Sequence, residues 1–158
     1  MEESFIQLVT QHKALIYKVC RTFRGNDPEG TQDLFQDIVA ELWRAYPRYN
    51  GTAKWTTWAY RIALYVAITQ QRRRRLHTVP FTGMEPPPVP EPNEQLAVLH
   101  QAIALLNEPD KALILLYLDD LSYADIAEIT GLTENHIGVK LSRIKSKLKN
   151  LLLHEKSY

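Results

Sequence analysis

Apolar residues recur at steps of three and four along most of the chain, and no stretch alternates at the two-residue period of a strand. Phe5, Leu8, Val9, His12, Ile16, Val19, Cys20 and Phe23 follow that step and predict one amphipathic helix over residues 4–24. Gly25, Asn26, Asp27 and Pro28 end it. Thr31 suits the N-cap of a second helix carrying Leu34, Phe35, Ile38, Val39, Leu42 and Trp43 as a broad apolar stripe. Pro47 and the Asn50-Gly51 pair stop that helix. A third is predicted from about Lys54 to Arg75, burying Trp58, Ile62, Val66 and Trp55.

The pattern then changes. TVPFTGMEPPPVPEPN contains six prolines, so no helix continues through it. Extended at ~3.1 Å per residue, the eighteen residues 76–93 reach roughly 50 Å, which suits a tether better than a surface loop. Helical spacing resumes with Leu96, Leu99, Ile103 and Leu106. Pro109 falls where a first turn accepts it, ahead of ALILLYL. Ser122 and Asp125 resemble a capping box for a short helix, Tyr123 to Thr130, closed by Gly131. Thr133 then caps a last helix from about Glu134 to His154. The expected fold is all-α: two small helical domains, residues 1–75 and 94–158, joined by a Pro-rich linker, the second containing a helix-turn-helix.

Composition adds limits. Apolar and charged fractions of 45% and 23% are those of a globular chain. No apolar run reaches the roughly 18–20 residues that span a bilayer, and MEESFIQLV does not have the form of a secretory or transit peptide. Cys20 is the single cysteine, so an internal disulfide and a thiolate zinc site are excluded, and a cytoplasmic location is expected. The net charge of +1 conceals an uneven distribution. Residues 1–75 carry twelve Lys/Arg against seven Asp/Glu, whereas residues 134–149 hold Lys140, Arg143, Lys145, Lys147 and Lys149 against Glu134 alone. Positive charge in two places points to an anionic partner more than the total does.

Both places suit nucleic acid. His136, Lys140, Arg143 and Lys147 step along one flank of the last helix, beside a core stripe of Ile137, Leu141, Ile144, Leu148 and Leu151. Such a helix can pack on its neighbours while its flank enters a major groove, with Arg143 and Lys140 suited to guanine edges and other cations to phosphates. A solvated basic face is the plainer alternative. In the first block, the YNGTA loop beside Trp55, Trp58, Arg61 and Tyr65 gathers rings that stack on unpaired bases and cations that hold phosphates, and Arg72–Arg75 continue the charge. Trp58 suits a core position as well, so Tyr49, Asn50, Lys54 and Arg61 are the stronger candidates. The helix QDLFQDIVAELWR instead bears Asp33, Asp37 and Glu41 at steps of four, a face that repels DNA and suits a basic protein surface or simply solvent. Scattered His12, His77, His100, His136 and His154 lack metal-ligand spacing, and neither a phosphate loop nor paired catalytic carboxylates are evident, which argues against an enzyme acting on nucleic acid and against a resident cofactor. A duplex-binding repressor remains a rival to be separated by its lack of need for the acidic helix and the loop.

DLFQDIVAELWRAYPRYNG with WTTWAYRIALYVAITQQRRRR, and then LNEPDKALILLYLDDLSYADIAEITGLTENHIGVKLSRIKSKL, resemble regions 2 and 4 of bacterial sigma factors of the small extracytoplasmic-function (ECF) type. The resemblance covers most of the chain and implies a dissociable initiation subunit of RNA polymerase without chemistry of its own. It implies that Asp33, Gln36, Asp37 and Glu41 dock on a coiled coil of core polymerase. It implies that Tyr49, Asn50, Gly51, Lys54, Trp58, Arg61 and Tyr65 engage the −10 element, capture a base of the separated strand and so promote melting. Ser122, Tyr123, His136, Gly138, Val139, Lys140, Ser142, Arg143 and Lys147 fall to duplex −35 DNA, and an anti-sigma factor is the family's usual regulator. Tyr65 stands where several relatives carry Asn for base contact, so their −10 specificity does not carry over; Gly138 and Val139 stand where Arg and Ser are frequent, so −35 contacts are expected to rest on Lys140, Ser142 and Arg143.

Overall fold

The computed structural model describes residues 2–25, 27–77 and 94–156. Among them the chain forms eight α-helices, a 3₁₀ turn and no strand. These residues fall into two compact units, one before and one after residues 78–93. The expected Pro-rich linker, residues 76–93, lies outside the described residues except for Leu76 and His77, which finish a helix.

The first unit comprises α1 (Glu2–Gln11), α2 (Lys13–Arg24), α3 (Pro28–Ala45), the 3₁₀ turn Tyr46–Arg48 and α4 (Trp55–His77). Helices α2, α3 and α4 pack mutually around Ile16, Val19, Cys20, Leu34, Ile38 and Leu42, all fully buried. The single helix expected over residues 4–24 is two, because the chain leaves helical geometry at His12 (φ −112°, ψ 23°). Its imidazole stacks on Trp55 with ring centroids 5.1 Å apart. The bend carries Phe5 to Trp43 and Tyr46, at 5.0 and 5.2 Å between centroids. Such aromatic contacts offset a lost helical turn, and apolar spacing that stays in phase across a break does not reveal it.

Helix α3 starts earlier than Thr31. Asp27 is the N-cap, its carboxylate accepting the Gly30 N–H at 3.0 Å, with Pro28 in the first turn. The Thr31 hydroxyl instead donates to the Arg24 carbonyl at 3.2 Å, tying α3 to the end of α2. One Asp-Pro pair therefore both stops α2 and starts α3. Helix α4 buries Trp55, Ala59, Tyr60, Ala63, Leu64 and Ala67, whereas the expected Trp58, Ile62 and Val66 are only half-buried. Alanines at steps of four admit close approach of α2 and α3, and bulkier side chains are displaced to the flank.

The second unit comprises α5 (Glu94–Ala104), α6 (Glu108–Leu118), α7 (Tyr123–Thr130) and α8 (Glu134–Lys156). Helix α8 packs on the other three, and α6 is covered along Lys111–Leu116. The expected stripe is buried at Ile103 of α5 and at Leu106 just beyond its end, but exposed at Leu96. Asn107 accepts the Asp110 N–H at 2.9 Å, with Pro109 in the first turn of α6. Ser122 accepts the Asp125 N–H at 3.1 Å to start α7. Gly131 ends α7 at φ +78°, a left-handed conformation costing an L-residue ~1–2 kcal/mol. Thr133 then accepts the His136 N–H at 3.1 Å. Helix, three-residue turn and helix thus follow the expected order and boundaries. No helix among the described residues is long and apolar enough to cross a membrane.

Candidate nucleic-acid and protein interfaces

At about 100° per residue, Trp58, Arg61, Tyr65 and Arg72 share one stripe of α4, opposite its buried alanines, and Lys54, the residue before the helix, falls in line with them. Tyr65 is 69% exposed; Lys54, Arg61 and Arg72 are also exposed. Trp58 is half-buried for a different reason: Tyr49 from the preceding loop lies 4.9 Å from it and Tyr46 6.5 Å, centroid to centroid. The loop is braced as well. Tyr49 Oη donates to the Ala53 carbonyl at 2.7 Å, and Asn50 Oδ1 accepts the Thr52 N–H at 3.0 Å and the Thr52 hydroxyl. Gly51 sits at φ +78° with no atom within 4 Å of where a Cβ would stand. Asn50 and Gly51 are therefore presented to solvent at a turned tip, with the rings beneath. Trp55, counted among the rings of this patch, is buried, and its indole N–H has no hydrogen-bond partner among the described residues.

On α3, Asp33, Gln36 and Asp37 are exposed and Glu41 is half-buried. Two of the carboxylates are engaged. Asp37 accepts a hydrogen bond from the Gln70 amide of α4, and Glu41 pairs with Arg44 at 3.0 Å. Exposed interactions of this kind are worth at most about 1 kcal/mol and yield readily to a competing cation. The Gln70 contact was not foreseeable, because it depends on how α3 and α4 are rotated against each other.

In the second unit, Ile137, Leu141, Ile144 and Leu148 are buried as expected and Leu151, expected with them, is half-buried, while His136, Val139, Ser142, Arg143 and Lys147 are exposed. Lys140 is half-buried, further round the flank. Gly138 meets Tyr123 across the turn, with 3.5 Å between its Cβ position and the ring, so these two candidates adjoin. Ser122 serves as the cap of α7. The basic run does not all face one way: Lys145 Nζ lies 4.0 Å from the Tyr117 ring centroid, bracing α8 on α6. A side-chain hydrogen bond with Tyr117 raises the Lys145 pKa above its ordinary value, opposed by partial desolvation. Asn135, which neither charge nor hydrophobicity marks, is exposed on the same outward face as Val139 and Ser142. Counting turns from the buried stripe, rather than following charge, finds it.

Among the described residues, no group of three or more His, Cys, Asp or Glu side chains is placed to hold a metal ion. Residues 8–77 match the family model for sigma-70 region 2, and residues 96–148 that for sigma-70 region 4. The chain is 23% identical to the ECF RNA polymerase sigma factor SigW of Bacillus subtilis, over 96% of this chain and 90% of that one. It is 24% identical to the ECF RNA polymerase sigma factor SigM of Mycobacterium tuberculosis, over 94% and 77%. Its fold is similar to that of CnrH, solved in complex with the cytosolic domain of CnrY (TM-score 0.72, 21% identity, 96% of this chain and 89% of that chain). It is also similar to that of the sigma factor RpoE of Bartonella quintana, solved with the anti-sigma factor NepR (TM-score 0.75, 19% identity, 95% and 97%). With two regions matched in order, the chain belongs to the sigma-70 family, as an ECF RNA polymerase sigma factor, a transcription-initiation factor and not an enzyme.

Proposed function

We propose that the chain docks on core RNA polymerase through Asp33, Gln36, Asp37 and Glu41 of α3 and recognises a promoter with both units. The α4 stripe and the Tyr49–Gly51 tip take the −10 element. An unpaired base stacks against the rings for ~1–3 kcal/mol, which offsets the few kcal/mol of unpairing. Lys54, Arg61 and Arg72 hold the strand's phosphates. In the second unit, α8 enters the major groove of the −35 duplex, with Arg143 on base edges, Lys140, Lys147 and His136 toward phosphates, and Tyr123 and Gly138 at the turn.

The observation that carries this reading is the shared stripe of Lys54, Trp58, Arg61 and Tyr65, leading away from an open loop tip on the side opposite the core. Rings and cations together in solvent suit a separated strand far better than a duplex. An anti-sigma factor is a further expected partner, because the similar RpoE was solved with one. Reconstituted transcription tests the whole: core enzyme plus this chain should yield promoter-dependent RNA from a premelted −10 template and, more slowly, from a duplex one. Absence of such RNA from both templates refutes it.

A further inference from the structure

Helix α8 has a face that the charge pattern conceals. Its buried stripe runs through Ile137, Leu141, Ile144 and Leu148. At about 100° per residue, Asn135, Val139, Ser142 and Ser146 all fall within about 50° of the direction opposite that stripe. All four are exposed, and Val139 is 46% exposed. His136, Lys140 and Lys147 lie about 70–110° round, on one flank, with Arg143 between flank and face. The centre of the outward face of α8 is therefore narrow and uncharged, with Ser142 at one edge, Arg143 equally far round at the other, and further cations beyond it.

A narrow outward face lets the helix backbone approach the floor of a groove, while bordering cations reach phosphates. Two of the four side chains are selective. An Asn amide offers one donor and one acceptor, matching adenine N6 and N7. An exposed isopropyl group gains nothing from polar base edges, and the apolar group available in the major groove is the thymine C5-methyl. The two residues are four apart, a rise of about 6 Å along α8, close to two base-pair steps of about 3.4 Å. Both lie in the first two turns after the Thr133 cap, the part of a recognition helix that contacts base edges.

We infer that Asn135 and Val139 are specificity-determining residues that select an A·T pair at each of two positions about two base pairs apart in the duplex recognised by α8. Asn135 reads an adenine by two hydrogen bonds, and Val139 reads a thymine by its methyl group. This rests on the −35 assignment proposed above.

The test uses the reconstituted holoenzyme and a promoter library randomised across the −35 region, scored by the transcripts produced. The wild-type chain should enrich A·T at two positions about two apart. Asn135→Ala should flatten the preference at one, and Val139→Ala at the other, each by on the order of tenfold. Replacing thymine by uracil at the second position removes only the methyl and should weaken the wild-type chain while leaving Val139→Ala unaffected. A sequence-selective holoenzyme whose profile ignores both variants, or which selects G·C at these positions, overturns the inference and leaves the initiation function standing. A holoenzyme with no duplex preference overturns the −35 assignment, and this inference with it.

Discussion

Helices α4 and α8 are each 23 residues long and carry the candidate DNA faces of their units, yet they build them from opposite materials. On α4 the face is rings and long cations, and its central ring is clasped by Tyr46 and Tyr49 from the loop before it. On α8 the centre of the outward face is Asn, Val and Ser over an apolar stripe buried from Ile137 to Leu148. The contrast follows from the substrate each suits. A flipped base offers a π-face and needs a broad platform, whereas a groove floor admits only a thin ridge. It also separates two kinds of constraint. In the first unit two of the candidate rings, Trp58 and Tyr49, are part of the packing, so changing them disturbs stability along with recognition. In the second, the ridge can be rewritten without touching the core.

Trp58→Ala gives the largest effect expected from that contrast. It should destabilise the first unit by about 2 kcal/mol, below the range for a fully buried Trp, and abolish the opening of duplex promoters. Hydrogen exchange on the intact chain, set beside permanganate footprinting of the promoter, would show the two losses together. Its counterpart, Arg143→Ala, should lower −35 discrimination by about 1–3 kcal/mol with exchange protection unchanged in both units. If that variant loses protection throughout α8, the two faces are not built differently. Asp37→Arg should lower affinity for core polymerase on the order of tenfold by reversing a charge at the docking face, while altering stability by at most about 1 kcal/mol, the worth of its exposed contact with Gln70. Undiminished co-purification with core enzyme would move the docking face elsewhere.

The effect that vanishes at neutral pH concerns Cys20, whose thiol burial pushes up from 9.0 to about 12. Its folded pKa is the higher one, so the native state retains a proton that the unfolded state releases above about pH 9. Stability therefore falls as pH rises from about 9 to about 12 and is unaffected below that window. Cys20→Ala should show a shallower alkaline decline in melting temperature than the parent chain, and the difference should appear in the first unit only.

The second unit was legible almost to the residue because its boundaries are set by local chemistry. Asn107, Ser122, Gly131 and Thr133 each act within three or four residues of themselves, and such signals survive in a linear reading. The first unit yielded less, since its deviations are tertiary. The bend at His12 depends on a Trp55 ring far along the chain. The buried face of α4 is chosen by alanines whose value lies in what approaches them, and Asp37 finds Gln70 only once α3 and α4 have packed. Among the candidate residues, the exposed state of Asn50, Lys54, Arg61 and Arg143 followed from loop position or charge, whereas Tyr49 of the same loop is half-buried against Trp58. Asn135 was hidden because neither charge nor hydrophobicity marks it.

The bend at His12 leaves α1 a separate element whose buried contribution is one ring, Phe5. A ten-residue helix anchored so lightly opens at far lower cost than the three-helix body beneath it. Gentle proteolysis should release α1 first, uncovering the sides of Trp43 and Tyr46 that Phe5 had shielded and leaving a trimmed domain that still melts as one.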